Sequence, residues 1–224
     1  MSEYDQANFK GVYQGQSLVI SSNITEVPWE IGSAQPEVCR ILDALPPGRL
    51  LDVGCGLGRN ARAAFERGHK VVAIDIAEDA IAASRRHHAG LDIHFEVRDA
   101  CQTELEPGFD ILLDSATYHA IPSTSRLAYL KEMRRLAHAQ TRFHLMTFAT
   151  SVYGMPRPLS SHLSEIVTLA EEAGWSIHTV ERVDYRGNAV AIQDFAQKKG
   201  LNIQLDDQGR TLLPSWHVEL HPAH

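Results

Sequence analysis

The sequence is poor in cysteine, has no long apolar run and carries no surplus of positive charge, and each shortage closes off a class of protein. Cys39, Cys55 and Cys101 are the only cysteines in 224 residues. An odd count at wide spacing excludes a disulfide framework and a CxxC metal knuckle, and suits a reducing compartment. No apolar stretch approaches the ~20 residues that cross a bilayer. The opening residues, MSEYDQANFKG, lack the charged start and apolar run of a secretory leader, so a cytoplasmic location is expected. Lys and Arg number 21 against 28 Asp and Glu, a net charge of −7. That balance argues against a sequence-independent grip on nucleic acid, which needs clustered cations. Arg85-Arg86 and Arg134-Arg135 are the candidate basic patches, and both fall on predicted helices as solvated faces. Internal repeats and low-complexity tracts are missing as well.

What remains is an ordinary globular composition, 44% hydrophobic and 22% charged. The length suits one domain over residues 1–224, with residues 1–35 as an irregular N-terminal cap dotted with Tyr4, Phe9, Tyr13 and Trp29. From there strands alternate with helices. Pro36 is placed to open a helix. Arg49–Val53, Lys70–Ile74, Ile93–Val97, Phe109–Leu113 and Phe143–Phe148 are predicted strands. Helices are predicted over Asn60–Arg67, Ala77–His87, from Pro122 through Leu136, and around Leu163–Ala170. Trp175–Val183 and Leu213–Leu220 read as two last strands pairing antiparallel at one edge. Between them Ala189–Lys199 is a candidate helix in which Val190, Ile192 and Phe195 leave the period unclear. The order predicts an α/β, Rossmann-like, doubly wound and mostly parallel seven-stranded sheet, with an antiparallel edge strand and an N-terminal lid segment.

The stretch Leu50–Gly58, LLDVGCGLG, reads as a buried strand turning through glycines. Ligands in open parallel sheets bind beyond the carboxyl ends of the strands. Glycines let backbone approach a ligand, and the helix that follows presents free N–H groups. Asp75 ends the next strand, seventeen residues past Gly58, where a carboxylate can accept both hydroxyls of a ribose. The spacing is GxGxG, with Arg59 where the third glycine of a dinucleotide GxGxxG would stand. Asp52 inside the turn suits a cationic ligand better than a pyrophosphate.

These residues resemble the class I S-adenosylmethionine-dependent methyltransferases. LLDVGCGLGRNA is similar to their first motif, VVAIDIA to the second, FEVRDAC to the third and FDILLDSATYHAI to the fourth. The resemblance spans about Pro28 to Val183 and implies S-adenosylmethionine as cofactor. It implies cofactor contacts at Gly54, Cys55 and Gly56, at Asp75 and Ile76, at Asp99, Ala100 and Cys101, and at Asp114 and Ser115, with Asp52 beside the turn. PWEIGSAQPEV, Pro28–Val38, is similar to a segment of the thiopurine, halide/thiol and heterocyclic-toxin methyltransferases, which carries Trp29 to the methionine end of the cofactor. An aromatic face near a sulfonium is physically apt. Glu30 stands where that group commonly has Asp, and HAQTR replaces its usual Pro-Gly-Gly lead-in.

The expected reaction is methyl transfer to a nitrogen, oxygen or sulfur of a small aromatic or heterocyclic metabolite. Positioning and desolvation do most of the work in such a displacement. His119 and Tyr118 are the candidate catalytic residues; His119 is either an acceptor-side base or a hydrogen bond in the pocket wall. Phe9, Tyr13, Tyr118, His119 and Tyr153 are candidate acceptor contacts. Trp216 is assigned to the core. His217, His221 and His224 form an H-x3-H-x2-H series whose first two members share a strand face. A full ligand set is missing, and no metal is expected. The expected partner is a small-molecule acceptor, without nucleic acid or membrane, on a monomer or homodimer. Alternatives are a non-methylating S-adenosylmethionine enzyme and a cofactor-binding regulatory protein, while the GxGxG spacing disfavours a nicotinamide enzyme.

Overall fold

The computed structural model describes residues 11–14, 16 and 27–223. Among these, six α-helices alternate with eight strands: α1 (Pro36–Asp43), β1 (Arg49–Val53), α2 (Arg59–Glu66), β2 (Lys70–Asp75), α3 (Glu78–His87), β3 (Ile93–Val97), β4 (Phe109–Ser115), α4 (Arg126–Leu136), β5 (Ala137–Phe148), α5 (Leu163–Glu172), β6 (Trp175–Gly187), α6 (Ala189–Lys198), β7 (Gln204–Leu205) and β8 (Thr211–Pro222). They form one sheet of order β3-β2-β1-β4-β5-β8-β6, with the two-residue β7 paired to β8. The first five strands run parallel. The last two long strands pair antiparallel at one end, as expected, with β8 set between β5 and the outermost β6.

The strands are apolar on both sides because helices cover both. Leu50 packs with Val38, Ile41, Ala61 and Ile81 under α1 to α3. The next residue, Leu51, points the other way and joins Tyr129, Met133, Ile166 and Trp175 under α4 and α5. One step along a strand thus changes the core a side chain enters. Trp175 adds a polar tie, its indole Nε1 donating to the Leu130 carbonyl at 3.0 Å. Trp216 is half-buried, with the Arg182 guanidinium 4.5 Å above its ring.

One helix start departs from the sequence reading for an identifiable reason. Pro122 has extended ψ and precedes a 3-10 turn over Ser123–Ser125, so α4 begins only at Arg126. The Arg126 side chain donates to the Ile121 carbonyl, satisfying it without a helical turn there. The helix α6 is real, and its N-cap Asn188 accepts from the Val190 and Ala191 amides. Val190, 72% exposed, lies off the buried face made by Ala191, Ile192 and Phe195, which is why it blurred the period.

Candidate active site

The parallel order reverses between β1 and β4, and at their carboxyl ends lies a cavity of about 450 Å³. Its floor is the glycine turn. A Cβ at Gly54 would stand 2.0 Å from Thr117 Oγ1, and one at Gly56 would stand 2.9 Å from Tyr13 Oη. Both glycines have positive φ, at 66° and 52°. The turn is tied down by neighbours on three elements. The Asp75 carboxylate accepts from the Gly56 amide at 2.9 Å and from the Ala77 amide at 2.8 Å. Ser84 on α3 donates to the Gly56 carbonyl at 2.8 Å. Thr117 donates to the Val53 carbonyl at 2.8 Å. Burial raises the Asp75 pKa, while the Ala77, Gly56 and Ile76 amides oppose that rise.

The loop after β4 is organised by Asp114, which is wholly buried. Its carboxyl accepts from the amides of Thr117 at 2.7 Å and Tyr118 at 3.3 Å, and from the Tyr129 hydroxyl at 2.7 Å. Burial pushes its pKa up to about 7 against those bonds. Ala116 within this loop has φ of 78°, a strained conformation for a residue with a Cβ, and it lines the cavity.

One wall of the cavity carries the polar groups Asp75, Asp99, Arg98 and Cys101. Asp99 accepts from the Cys101 amide at 2.8 Å, and burial with the Asp99 charge lifts the Cys101 thiol to about 11, so it stays protonated. Above the turn, Trp29 Nε1 donates to Tyr13 Oη at 3.1 Å, with the rings edge to face. The Pro28 carbonyl accepts from the Asn188 amide at 2.8 Å, joining the Pro-Trp segment to the start of α6. The opposite wall is apolar: Phe148, Met155, Leu159, Ile192, Phe195 and Leu213. His119 lies flat on Phe148, ring centroids 4.1 Å apart, and its Nδ1 shares a hydrogen bond with Thr147 Oγ1 at 3.3 Å. Burial and the nearby Arg126 charge drive the His119 pKa down to about 3, so its imidazole is neutral at physiological pH.

Of the residues singled out in the sequence, Tyr13, Trp29, Gly54, Asp75 and Ile76 line this cavity, and so do Asp99, Ala100, Cys101, Ser115 and His119. Cys55 and Gly56 shape the turn beneath it. Four readings are corrected. Asp52, 1% exposed, lies below the turn and does not line the cavity. Burial lifts its pKa to about 8, with the Ala61 amide opposing and the Asp75 and Asp114 charges adding, so it carries no charge with which to favour a cation. Asp114 acts from beneath, through the loop it holds. Tyr118 is a core residue under the Arg126 guanidinium, which sits 4.8 Å from its ring centroid. Tyr153 is 44% exposed and outside the lining. Phe9 falls outside the described residues. The sequence reading missed the wall supplied by Tyr185, Ile192, Phe195 and Leu213. The apolar pair Ile192 and Phe195 was the one signal that pointed to it.

A glycine turn at a switch point, a carboxylate at the next strand end and an aromatic cover define a Rossmann-like protein built around a nucleoside cofactor. A family profile described as a methyltransferase domain matches residues 50–140. The chain is 26% identical to a 2-heptyl-1-hydroxyquinolin-4(1H)-one methyltransferase of Mycobacteroides abscessus, over 99% of each chain. It shares a fold at TM-score 0.77 and 23% identity with a chain solved in work on the conversion of a disulfide bond into a thioacetal group during echinomycin biosynthesis, covering 96% of this chain and 91% of that one. At TM-score 0.62 and 19% identity it resembles Burkholderia thailandensis 1,6-didemethyltoxoflavin-N1-methyltransferase, solved with bound 1,6-didemethyltoxoflavin and S-adenosylhomocysteine, over 84% of this chain and 78% of that one. The chain belongs to the class I S-adenosylmethionine-dependent methyltransferases, and its cofactor is S-adenosylmethionine. Among the described residues no helix is long and apolar enough to cross a membrane.

Asp52 holds a proton in the folded protein at pH values where the unfolded chain, with a carboxyl pKa near 3.8, has lost it. Stability from this group therefore falls as pH rises toward 8. Asp52→Asn removes that linkage, while the contributions of other groups are common to both proteins and cancel. The difference in Tm between variant and parent is expected to grow in the variant's favour from about pH 5 to about pH 8. Thermal denaturation at the two pH values checks this, and a constant difference contradicts it.

Proposed function

We propose that this enzyme methylates a nitrogen, oxygen or sulfur atom of a small, flat heteroaromatic metabolite. The carrying observation is the slot beyond the glycine turn, where His119 lies parallel to Phe148 within an apolar wall. Flat apolar walls favour planar rings by stacking and by desolvation. The names of two relatives support the class: one acts on a hydroxyquinolinone, the other on 1,6-didemethyltoxoflavin, both ring heterocycles.

In this reading Asp75 accepts the ribose hydroxyls, and Asp99 with Ala100 and Cys101 meets the adenine. The backbone at Gly54–Gly56 and Ser115 lies along the amino-acid end, and Trp29 covers it. Bound there, S-adenosylmethionine supplies a methyl group on a sulfonium, an electrophile with a good leaving group. The chain's own work is to hold the acceptor in line and exclude water. Tyr13 and Trp29 close one side of the slot, and the wall from α6 and β8 closes the other. His119 is a hydrogen-bonding partner for the acceptor's polar edge. With its conjugate acid near 3 it is too weak a base to hold a proton removed from the acceptor at neutral pH. An acceptor with an acidic O–H, N–H or S–H then loses that proton to solvent. The same reading makes residues 1–224 one catalytic domain with the N-terminal segment as its lid. It acts in the cytoplasm as a monomer or homodimer, without nucleic acid.

Incubation with S-adenosylmethionine and a panel of heteroaromatic phenols, thiols, N-hydroxy compounds and ring N–H compounds is the direct test. Mass spectrometry is expected to find an acceptor heavier by one methylene. Turnover confined to nucleic acid or protein acceptors sinks the proposal. Asp75→Ala is expected to weaken S-adenosylmethionine binding by ~1.5–3 kcal/mol, the value of hydrogen bonds to a charged group. Isothermal titration reads this, and unchanged affinity removes Asp75 from the ribose. For His119→Asn, kcat/KM should drop while the acid-limb midpoint of its pH profile stays with the acceptor's own pKa. Loss of that limb in the variant would instead make His119 a base.

A further inference from the structure

The cluster of titratable groups on β6 and β8 lies away from the cavity, and the methyl-transfer reading uses none of it. Strand alternation puts His217, Glu219 and His221 of β8 on one face, while Val218 and Leu220 enter the core on the other. The sequence grouped His217 with His221 and His224. The structure regroups them. His217 is buried, with Nδ1 3.2 Å from Glu37 and Nε2 3.1 Å from His144. The guanidinium of Arg40 is hydrogen-bonded to Glu37 and Glu181 there, so that cluster already holds its cation. His224 falls outside the described residues.

His221 has a different neighbour. The register of β6 against β8 shifts between Ile177 and Thr179, so a bulge inserts His178 opposite Glu219 and Leu220. Trp175 and Ile177 face the core and Ser176 pairs with His221, so alternation along β6 turns His178 to the face of Glu219 and His221. The His178 ring stacks on His221 there, centroids 4.2 Å apart and planes within 12°. His221 Nε2 lies 2.8 Å from Glu219 Oε1. One donor atom from each of His178, Glu219 and His221 falls within 4.8 Å of the others.

We infer that His178, Glu219 and His221 form a binding site for a divalent transition-metal ion of the zinc type, bridging edge strand β6 to β8. Two imidazoles and a carboxylate are a borderline-soft donor set that suits zinc and leaves a fourth position for water. Tetrahedral zinc with bonds of ~2.0–2.1 Å needs donors about 3.4 Å apart. The donors already lie within 4.8 Å of one another, and closing to that spacing falls to the exposed His178 side chain. The ion would cross-link the outermost strand, whose far end carries Tyr185 and Gly187 of the cavity wall. This inference stands apart from the methyl-transfer reading.

The test is titration of the full, untagged chain with zinc chloride, followed by calorimetry and by the shift in Tm. One ion per chain is expected, with a rise in Tm that a chelator reverses. His178→Ala and His221→Ala, each checked for unchanged metal-free Tm, are expected to weaken binding roughly tenfold or more, by the scale of losing metal-shell groups. His87→Ala, at an exposed histidine on α3, should leave it intact. Failure to saturate in the micromolar range overturns the inference. So does binding that survives both strand variants, because the ion would then sit elsewhere.

Discussion

Thr117 Oγ1 sits where a side chain of residue 54 would begin, and its bond to the Val53 carbonyl locks β1 to the loop after β4. That contact depends on Asp114, whose buried carboxyl gathers the amides of Thr117 and Tyr118 and the hydroxyl of Tyr129 from α4. The left-handed Ala116 is held between these bonds and its own bond to the Met146 carbonyl of β5. Three strand ends and a helix thus converge on one carboxyl group. The cavity floor exists because that group is satisfied. Removing it would leave two buried amides and a phenol unpaired, each costing about 1–3 kcal/mol.

From that floor the site divides by polarity. Asp75, Asp99 and the backbone of the turn stand on one side. Apolar side chains from β5, α6 and β8 stand on the other. Burial, rather than charge pairing, governs the ionisable groups at the centre. It keeps the Asp114 carboxyl partly protonated and Asp52 protonated near neutrality, and it leaves His119 neutral. An apolar wall with little fixed charge favours flat, weakly polar molecules. The Pro28–Asn188 bond joins the Pro-Trp segment that carries Trp29 to the start of α6.

The parts legible in the sequence were those encoded locally. LLDVGCGLG marked a strand and its turn because glycine spacing and apolar runs constrain only adjacent backbone. The strands Arg49–Val53 and Ile93–Val97 were placed to the residue. Asp75 at the end of β2 and His119 just past β4 line the cavity because chain direction carries strand ends there. Asp52 and Tyr118 were misread for one reason. Both sit beside motif residues, but adjacent side chains on a strand or tight loop point opposite ways, and theirs point into the core. The apolar cavity wall stayed hidden because Ile192, Phe195 and Leu213 come from a segment whose place is set by long-range pairing of β6 with β8.

The sequence by itself determined the alternation of strands and helices, the glycine turn and the carboxylate at the next strand end, since each follows from short-range periodicity and backbone freedom, while the cofactor class came from the resemblance of its motifs. Tertiary structure alone decided which groups are charged, which aromatic residues face the cavity, and that β8 runs between β5 and β6. Those outcomes turn on burial and on strand pairing between residues far apart in the chain. His178 and His221 show the difference most plainly. They lie 43 positions apart, and only the antiparallel register of β6 against β8 brings their rings into contact.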